Sequence, residues 1–134
     1  MEMEKMFWTE AMYGTGDATV DEQHRVLFDL INSVLECLEK KSASDIFEAK
    51  WGAMVDYTKS HFACEEDIME KKKCSACDAN KKAHHAFLNL IGRLHEKYRV
   101  EGATDEFAGE FYKFVASWLR SHIMLIDATL KQTA

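Results

Sequence analysis

The chain is expected to be all-α: an antiparallel, up-down-up-down four-helix bundle preceded by an N-terminal arm. Three observations predict this. Apolar residues recur at three-and-four spacing in four successive segments, each ~18–27 residues long. The connections between the segments are short and polar, which makes neighbouring helices antiparallel. The chain also has no proline, against an average usage of about 5%, so long uninterrupted helices are permitted. No strand-type alternation, linker or low-complexity stretch interrupts the pattern. At 134 residues one domain spanning 1–134 is expected, with residues 1–19 as the arm and 20–132 as the bundle.

Each element follows from its residues. In the arm, Trp8 is the expected anchor and Gly14 and Gly16 the expected turn points. Asp21 can cap a first helix to about Lys41, whose stripe is Leu27, Phe28, Ile31, Val34, Leu35 and Leu38, with His24 on it in the first turn. Ser44 is a cap for a second helix, about Asp45 to Glu70, with Phe47, Trp51, Met54, Val55, Thr58, His61, Phe62, Glu65 and Met69 inward. A charged loop from Lys71 to Ser75 follows, and Ser75 with Asp78 resembles a capping pattern. The third helix, about 76–100, turns Asn80, His84, Phe87, Leu88, Ile91, Leu94 and Tyr98 inward. Gly102 ends it. Thr104 can cap a fourth helix to about Lys131, with Phe107, Phe111, Phe114, Val115, Trp118, Leu119, His122 and Leu125 on its stripe.

Composition narrows the function. A net charge of −6 gives no electrostatic footprint for nucleic acid. The chain lacks an apolar run near the ~20 residues of a membrane span. Its charged start, Met1 to Lys5, is unlike a secretory signal. A cytoplasmic protein with reduced cysteines is expected, and the absence of an attached signalling region argues against a built-in sensor.

The polar residues on the apolar stripes carry the chemistry. His24 lies near the start of the first helix, His61 and Glu65 near the end of the second, Asn80 and His84 near the start of the third, and His122 and Asp127 toward the end of the fourth. In an antiparallel bundle these form one layer. Pairs at i and i+4 share a helix face, so His61 with Glu65, and Asn80 with His84, point to one place. His122 and Asp127 are five apart, ~140° around an ideal helix, so the last turn must widen or end. A single histidine or carboxylate on an apolar face is ordinarily a satisfied core residue. A whole layer of them, including two carboxylates costly to bury unpaired, points instead to metal. Imidazole with carboxylate suits iron, zinc or manganese, and bridging carboxylates favour a two-iron centre.

The blocks Val20-Asp21-Glu22-Gln23-His24-Arg25 with Leu27-Phe28 and Ile31-Asn32, His61-Phe62 with Glu65-Glu66 and Met69, His84 with Phe87-Leu88, and Trp118-Leu119 with His122-Ile123 and Asp127 resemble the hemerythrin family, specifically its single-domain bacterial members. The resemblance covers nearly the whole chain. It implies a non-haem centre of two iron ions that binds O2 reversibly. By position, one iron would take His24 and His61 and keep an open site. The other would take His84, His122 and a third histidine, with Glu65 and Asp127 bridging. That third histidine is missing: the family's His-x-x-x-His in helix three is here Asn80-x-x-x-His84. Asn80 can bind weakly through oxygen, hold a water, or leave the second iron loosely held and partly occupied. His85 lies ~100° around from His84 and faces away, and His95 lies ~16 Å further along the axis, out of reach.

Two cysteines form a separate motif. Cys74-Ser75-Ala76-Cys77 follows three lysines at a helix start, and both features are expected to favour thiolate. Three functions remain: O2 carriage, storage or delivery; a di-iron peroxidase or oxidase, encouraged by Asn80; and a redox or oxygen sensor using the Cys74/Cys77 dithiol. No protein partner is legible. Cys37 reads as core, and Cys64 points to the side of the His61/Glu65 direction.

Overall fold

In the computed structural model, which describes residues 4–133, helices follow the expected order and no strand occurs among the described residues. The first three residues of the expected arm and Ala134 lie outside it. A short helix α1 (Glu10–Tyr13) sits within the arm. The bundle is α2 (Ala18–Glu39), α3 (Ser44–Lys71), α4 (Cys77–Glu101), and a fourth arm made of α5 (Asp105–Phe111), a π turn (Tyr112–Ala116) and α6 (Ser117–Leu125) in unbroken succession. A 3-10 segment, Asp127–Thr133, closes the chain. Packing runs α2 on α3, α3 on α4 and α4 on α5, while α1 leans on α6.

Several helix starts differ from expectation. Asp17, not Asp21, caps α2: its carboxylate accepts the Val20 N–H at 3.0 Å. Asp21 falls inside the first turn and instead accepts the Thr15 N–H and hydroxyl, at 2.8 and 2.7 Å. Two acidic residues four apart competed for the cap, and the one with a free extended backbone took it. Ser44 is the first residue of α3 rather than its cap, and α4 begins at Cys77 with no side-chain cap from Ser75. Thr104 does cap the fourth arm, accepting the Phe107 N–H at 3.0 Å. Gly102 closes α4 with φ +79°, a conformation that suits glycine. Of the two expected turn glycines in the arm, Gly16 has positive φ and Gly14 does not.

The arm is held differently from the expectation as well. Trp8 is only partly buried, under the Arg25 guanidinium at 4.2 Å. Met6 and Tyr13 are the buried contacts. Asn32 clamps the arm by accepting the Met6 N–H at 2.7 Å and donating to its carbonyl at 2.8 Å.

The fourth arm departs most. Ser117 N–H bonds to Tyr112 O, five residues back, which defines the π turn. The reason is in the spacing. Phe107, Phe111, Val115, Leu119 and Ile123 recur at strict intervals of four, and all are buried. On a 3.6-residue helix such a row drifts ~40° per step. One wider turn takes up part of that drift and keeps the row facing inward. Phe114, placed inward by the sequence, falls off the row and is 39% exposed; Leu125, also placed inward, is 76% exposed at the helix end. The helix stops there rather than running to Lys131. Away from the polar layer, Phe47, Trp51, Tyr98, Phe107 and Phe111 pack as an aromatic plug, with Phe47 and Tyr98 stacked at 3.8 Å. That rigid end leaves the opposite end to hold the polar residues.

Candidate metal centre

His24, His61, Glu65, Asn80, His84, His122 and Asp127 come from all four arms of the bundle, are all buried, and meet in one layer. They divide into two lobes that share Glu65. One holds His24, His61 and Glu65; the other holds Glu65, His84, His122 and Asp127. Glu65 turns one oxygen to each. Its Oε2 lies 3.2 Å from His24 Nε2 and 3.1 Å from His61 Nε2, and its Oε1 lies 3.1 Å from His84 Nε2. Asp127 does the same, with Oδ2 at 3.1 Å from His24 Nε2 and Oδ1 at 3.1 Å from His122 Nε2. The last turn brings Asp127 in by ending. Ile126 departs from helical geometry (φ −109°, ψ −56°), and the 3-10 segment starts at Asp127. The π turn that accommodates the fourth arm lies ten residues or more earlier.

Outer contacts orient the rings. His61 Nδ1 meets Gln23 Oε1 at 2.7 Å, and His84 Nδ1 meets Glu66 Oε2 at 2.9 Å. Phe62 stacks on His84 at 3.6 Å, and Trp118 on His122 at 4.5 Å, with ring planes nearly parallel in both cases. Asn80 joins the lobes from within: its Nδ2 donates to Glu65 Oε1 at 3.0 Å, and its Oδ1 accepts from His122 Nε2 at 2.7 Å.

The donor set fits a metal. Both Asp127 oxygens are buried with no hydrogen bond, although an imidazole nitrogen lies 3.1 Å from each; His24 Nδ1 is likewise without a partner. Buried anionic oxygens in this state demand positive charge. Protons on His24 and His84 can supply it. Burial opposes protonation of His24, yet Asp127 and Glu65 hold its pKa up to about 9. Burial also works against charge on His84, but Glu65 and Glu66 raise its pKa. For His61 burial wins and the pKa falls. Burial of Glu65 is outweighed by hydrogen bonds from His24, His61 and His84, which keep its carboxyl well below the usual range. A cation held between the same atoms would replace those protons.

The hemerythrin HHE cation-binding domain family matches residues 15–134. The chain belongs to the hemerythrin family. It is 31% identical over 125 residues to the bacteriohemerythrin of Methylococcus capsulatus, covering 93% of each chain. It is 33% identical over 127 residues to that of Pseudomonas aeruginosa, covering 94% of this chain and 79% of the relative. The crystal structure of wild-type hemerythrin superposes with a TM-score of 0.79 at 29% identity, over 92% of both chains. As a hemerythrin-family member, it is a non-haem iron, oxygen-binding protein with a helical-bundle fold.

The remaining polar candidates are outside the layer. His85 is exposed on α4, and His95 is a boundary residue that bonds Glu48 at 2.7 Å and stacks on Trp51. Cys37 is buried core, Cys64 is half-buried, and no disulfide forms among the four cysteines. Cys74 is not an open loop thiol. It is buried with Val20, Met69 and Leu130 and hydrogen-bonds Thr129 Oγ1 at 3.1 Å, in the segment that carries Asp127. The expected thiolate is corrected at Cys77, where burial and the neighbouring Cys74 push the thiol pKa up and outweigh Lys81. Sequence reasoning missed Gln23 and Glu66, both next in sequence to inward residues. That adjacency was the available signal.

Proposed function

We propose that this chain binds O2 reversibly at a centre of two non-haem irons, for carriage, storage or delivery in the cytoplasm, with one lobe altered by Asn80. The observation that carries this reading is that Glu65 and Asp127 each turn one oxygen toward each lobe. Two irons bound there would supply the electrons and the open coordination position for O2. In this reading His24 and His61 hold one iron and His84 and His122 the other, with the carboxylates bridging. The one domain needs no further element to build the centre.

The chain's own residues govern access and protons. One turn from the layer, Leu27, Ile31, Met54, Phe62, Phe87 and Leu119 wall a cavity of about 10 Å³. The only hydroxyl on its wall, Thr58, is spent on Met54 O at 2.7 Å. A water needs two or more polar partners, and this wall offers a single hydroxyl, so the space disfavours water. Exclusion of water would shield the chemistry that iron supplies when bound. In the second lobe, His122 Nε2 would give up the proton it now shares with Asn80 in order to hold a metal. The amide oxygen would then face the metal as a weak neutral donor or hold a water. Among the described residues no helix is long and apolar enough to cross a membrane.

Asn80 also favours a second reading. A weakly filled position on the second iron permits ligand exchange, and a peroxidase-type activity would use it. Both readings meet in one experiment. Ferrous protein prepared without air is exposed to O2, and the O2 is then removed. Reversible binding predicts a visible band that appears and disappears over repeated cycles. A band that forms once and persists, with net peroxide consumption when a reductant is present, would move the enzyme reading ahead.

A further inference from the structure

The lobe that lacks a third imidazole has a carboxylate behind one of the two it keeps. Glu66 follows Glu65 on α3. Successive helical residues point ~100° apart, so Glu65 enters the layer while Glu66 reaches the outer edge of the His84 ring on α4. There its Oε2 accepts from His84 Nδ1 at 2.9 Å. The other lobe has no such anion. His61 Nδ1 meets the neutral Gln23, and His24 Nδ1 has no partner. The Glu66 side chain stays within reach of solvent. It is 29% exposed on the wall of a surface groove of about 250 Å³ that Lys59, Lys81 and His85 also line. Phe62, also on α3, stacks on the His84 ring at 3.6 Å and holds its plane.

We propose that Glu66 is a positioning residue that strengthens His84 as a metal donor and so offsets the imidazole missing at Asn80. The inference rests on the two-iron reading above. An imidazole that donates its outer N–H to a carboxylate is held in one tautomer and one orientation, and its inner nitrogen becomes more basic. Loss of such an outer partner weakens metal binding about 10–100-fold. The demand for a strong His84 is greatest here, because the amide of Asn80 gives little in exchange for a ring nitrogen.

The test is stepwise ferrous-iron binding without air, by competition with a chelator, to the wild-type chain, Glu66→Gln, Glu66→Ala, Asn80→His and Asn80→His with Glu66→Gln. Glutamine retains an acceptor for His84 Nδ1 but removes the charge. In the wild-type background, Glu66→Ala should weaken the second iron about 10–100-fold and Glu66→Gln about tenfold. The first iron should change by less than about threefold. With His at position 80, the Glu66→Gln effect should shrink to about threefold or less. An unchanged second affinity in both Glu66 variants, or equal weakening of both irons, would overturn the positioning role. A Glu66→Gln effect of the same size in both backgrounds would overturn the compensation. A wild-type chain that never takes a second iron would sink the two-iron reading itself, an outcome visible before any variant is made. Thermal melting of the metal-free chains separates folding loss from donor loss. Glu66→Gln should melt with the wild type, and a large drop in its melting point would assign Glu66 to the fold instead.

Discussion

An amide at position 80 does two things that an imidazole there would not. It donates to Glu65 and accepts from His122 at once, tying the shared carboxylate to the second lobe without adding charge. It also leaves each lobe with two imidazoles. Asn80→His should therefore tighten the second iron by about tenfold or more, ~1.4 kcal/mol, and slow oxidation of the ferrous protein in air. Competition with a chelator reads the first effect and the decay of the ferrous form the second; unchanged values would mean that position 80 does not face the metal. The inward positions of His24, His61, Glu65, His84, His122 and Asp127 were legible because each interrupts an apolar stripe, where a polar side chain must find a partner. Gln23 and Glu66 were not legible. They sit on half-buried flanks, where polar residues are ordinary, and only the meeting of α2, α3 and α4 shows what they touch. The thiolate expected at Cys77 was misread for a similar reason: local charge was visible in sequence, and burial was not.

The helices were legible through their stripes, and their ends were less so. Asp17 and Asp21 are both competent caps, and nothing local decides between them; the Thr15 contact to Asp21 does, and it depends on the fold of the arm. Asp17 also reaches Lys72 at 3.1 Å, joining the start of α2 to the loop after α3 near the metal layer. Asp17→Ala should cost about 1 kcal/mol and lower the melting temperature by about 3 °C. Burial opposes charge on Asp17, but the Val20 N–H and Lys72 outweigh it and lower its pKa. Its contribution is thus complete above the unfolded aspartate value of about 3.9 and fades as pH falls through the lower folded value. Melting curves of the two proteins should differ at pH 6 and approach one another as the pH falls below about 4. A constant gap across that window would assign the cap's effect to something other than its charge. The π turn had a signal that a simple stripe does not use. Five apolar residues at unbroken intervals of four, from Phe107 to Ile123, cannot all stay inward on a straight α-helix. Phe114 was placed wrongly because the stripe was read without that drift.

Over the whole molecule, the architecture followed from few features: no proline, four stripes and short polar connections. The aromatic plug at one end and the polar layer at the other divide the work of the bundle between stability and chemistry. The plug fixes how the four arms approach, and the layer inherits seven buried polar side chains, of which Asp127 and His24 keep atoms without a hydrogen bond. Under the proposed two-iron reading, Glu65 and Asp127 would each serve both ions. The most direct measurement is iron per folded chain, by elemental analysis of protein reconstituted with ferrous iron in the absence of air and freed of excess metal. Two irons per chain are predicted, falling to one when Asp127→Asn or Glu65→Gln removes a bridge. A wild-type chain that saturates at one iron, or retains none, would contradict the two-lobed centre.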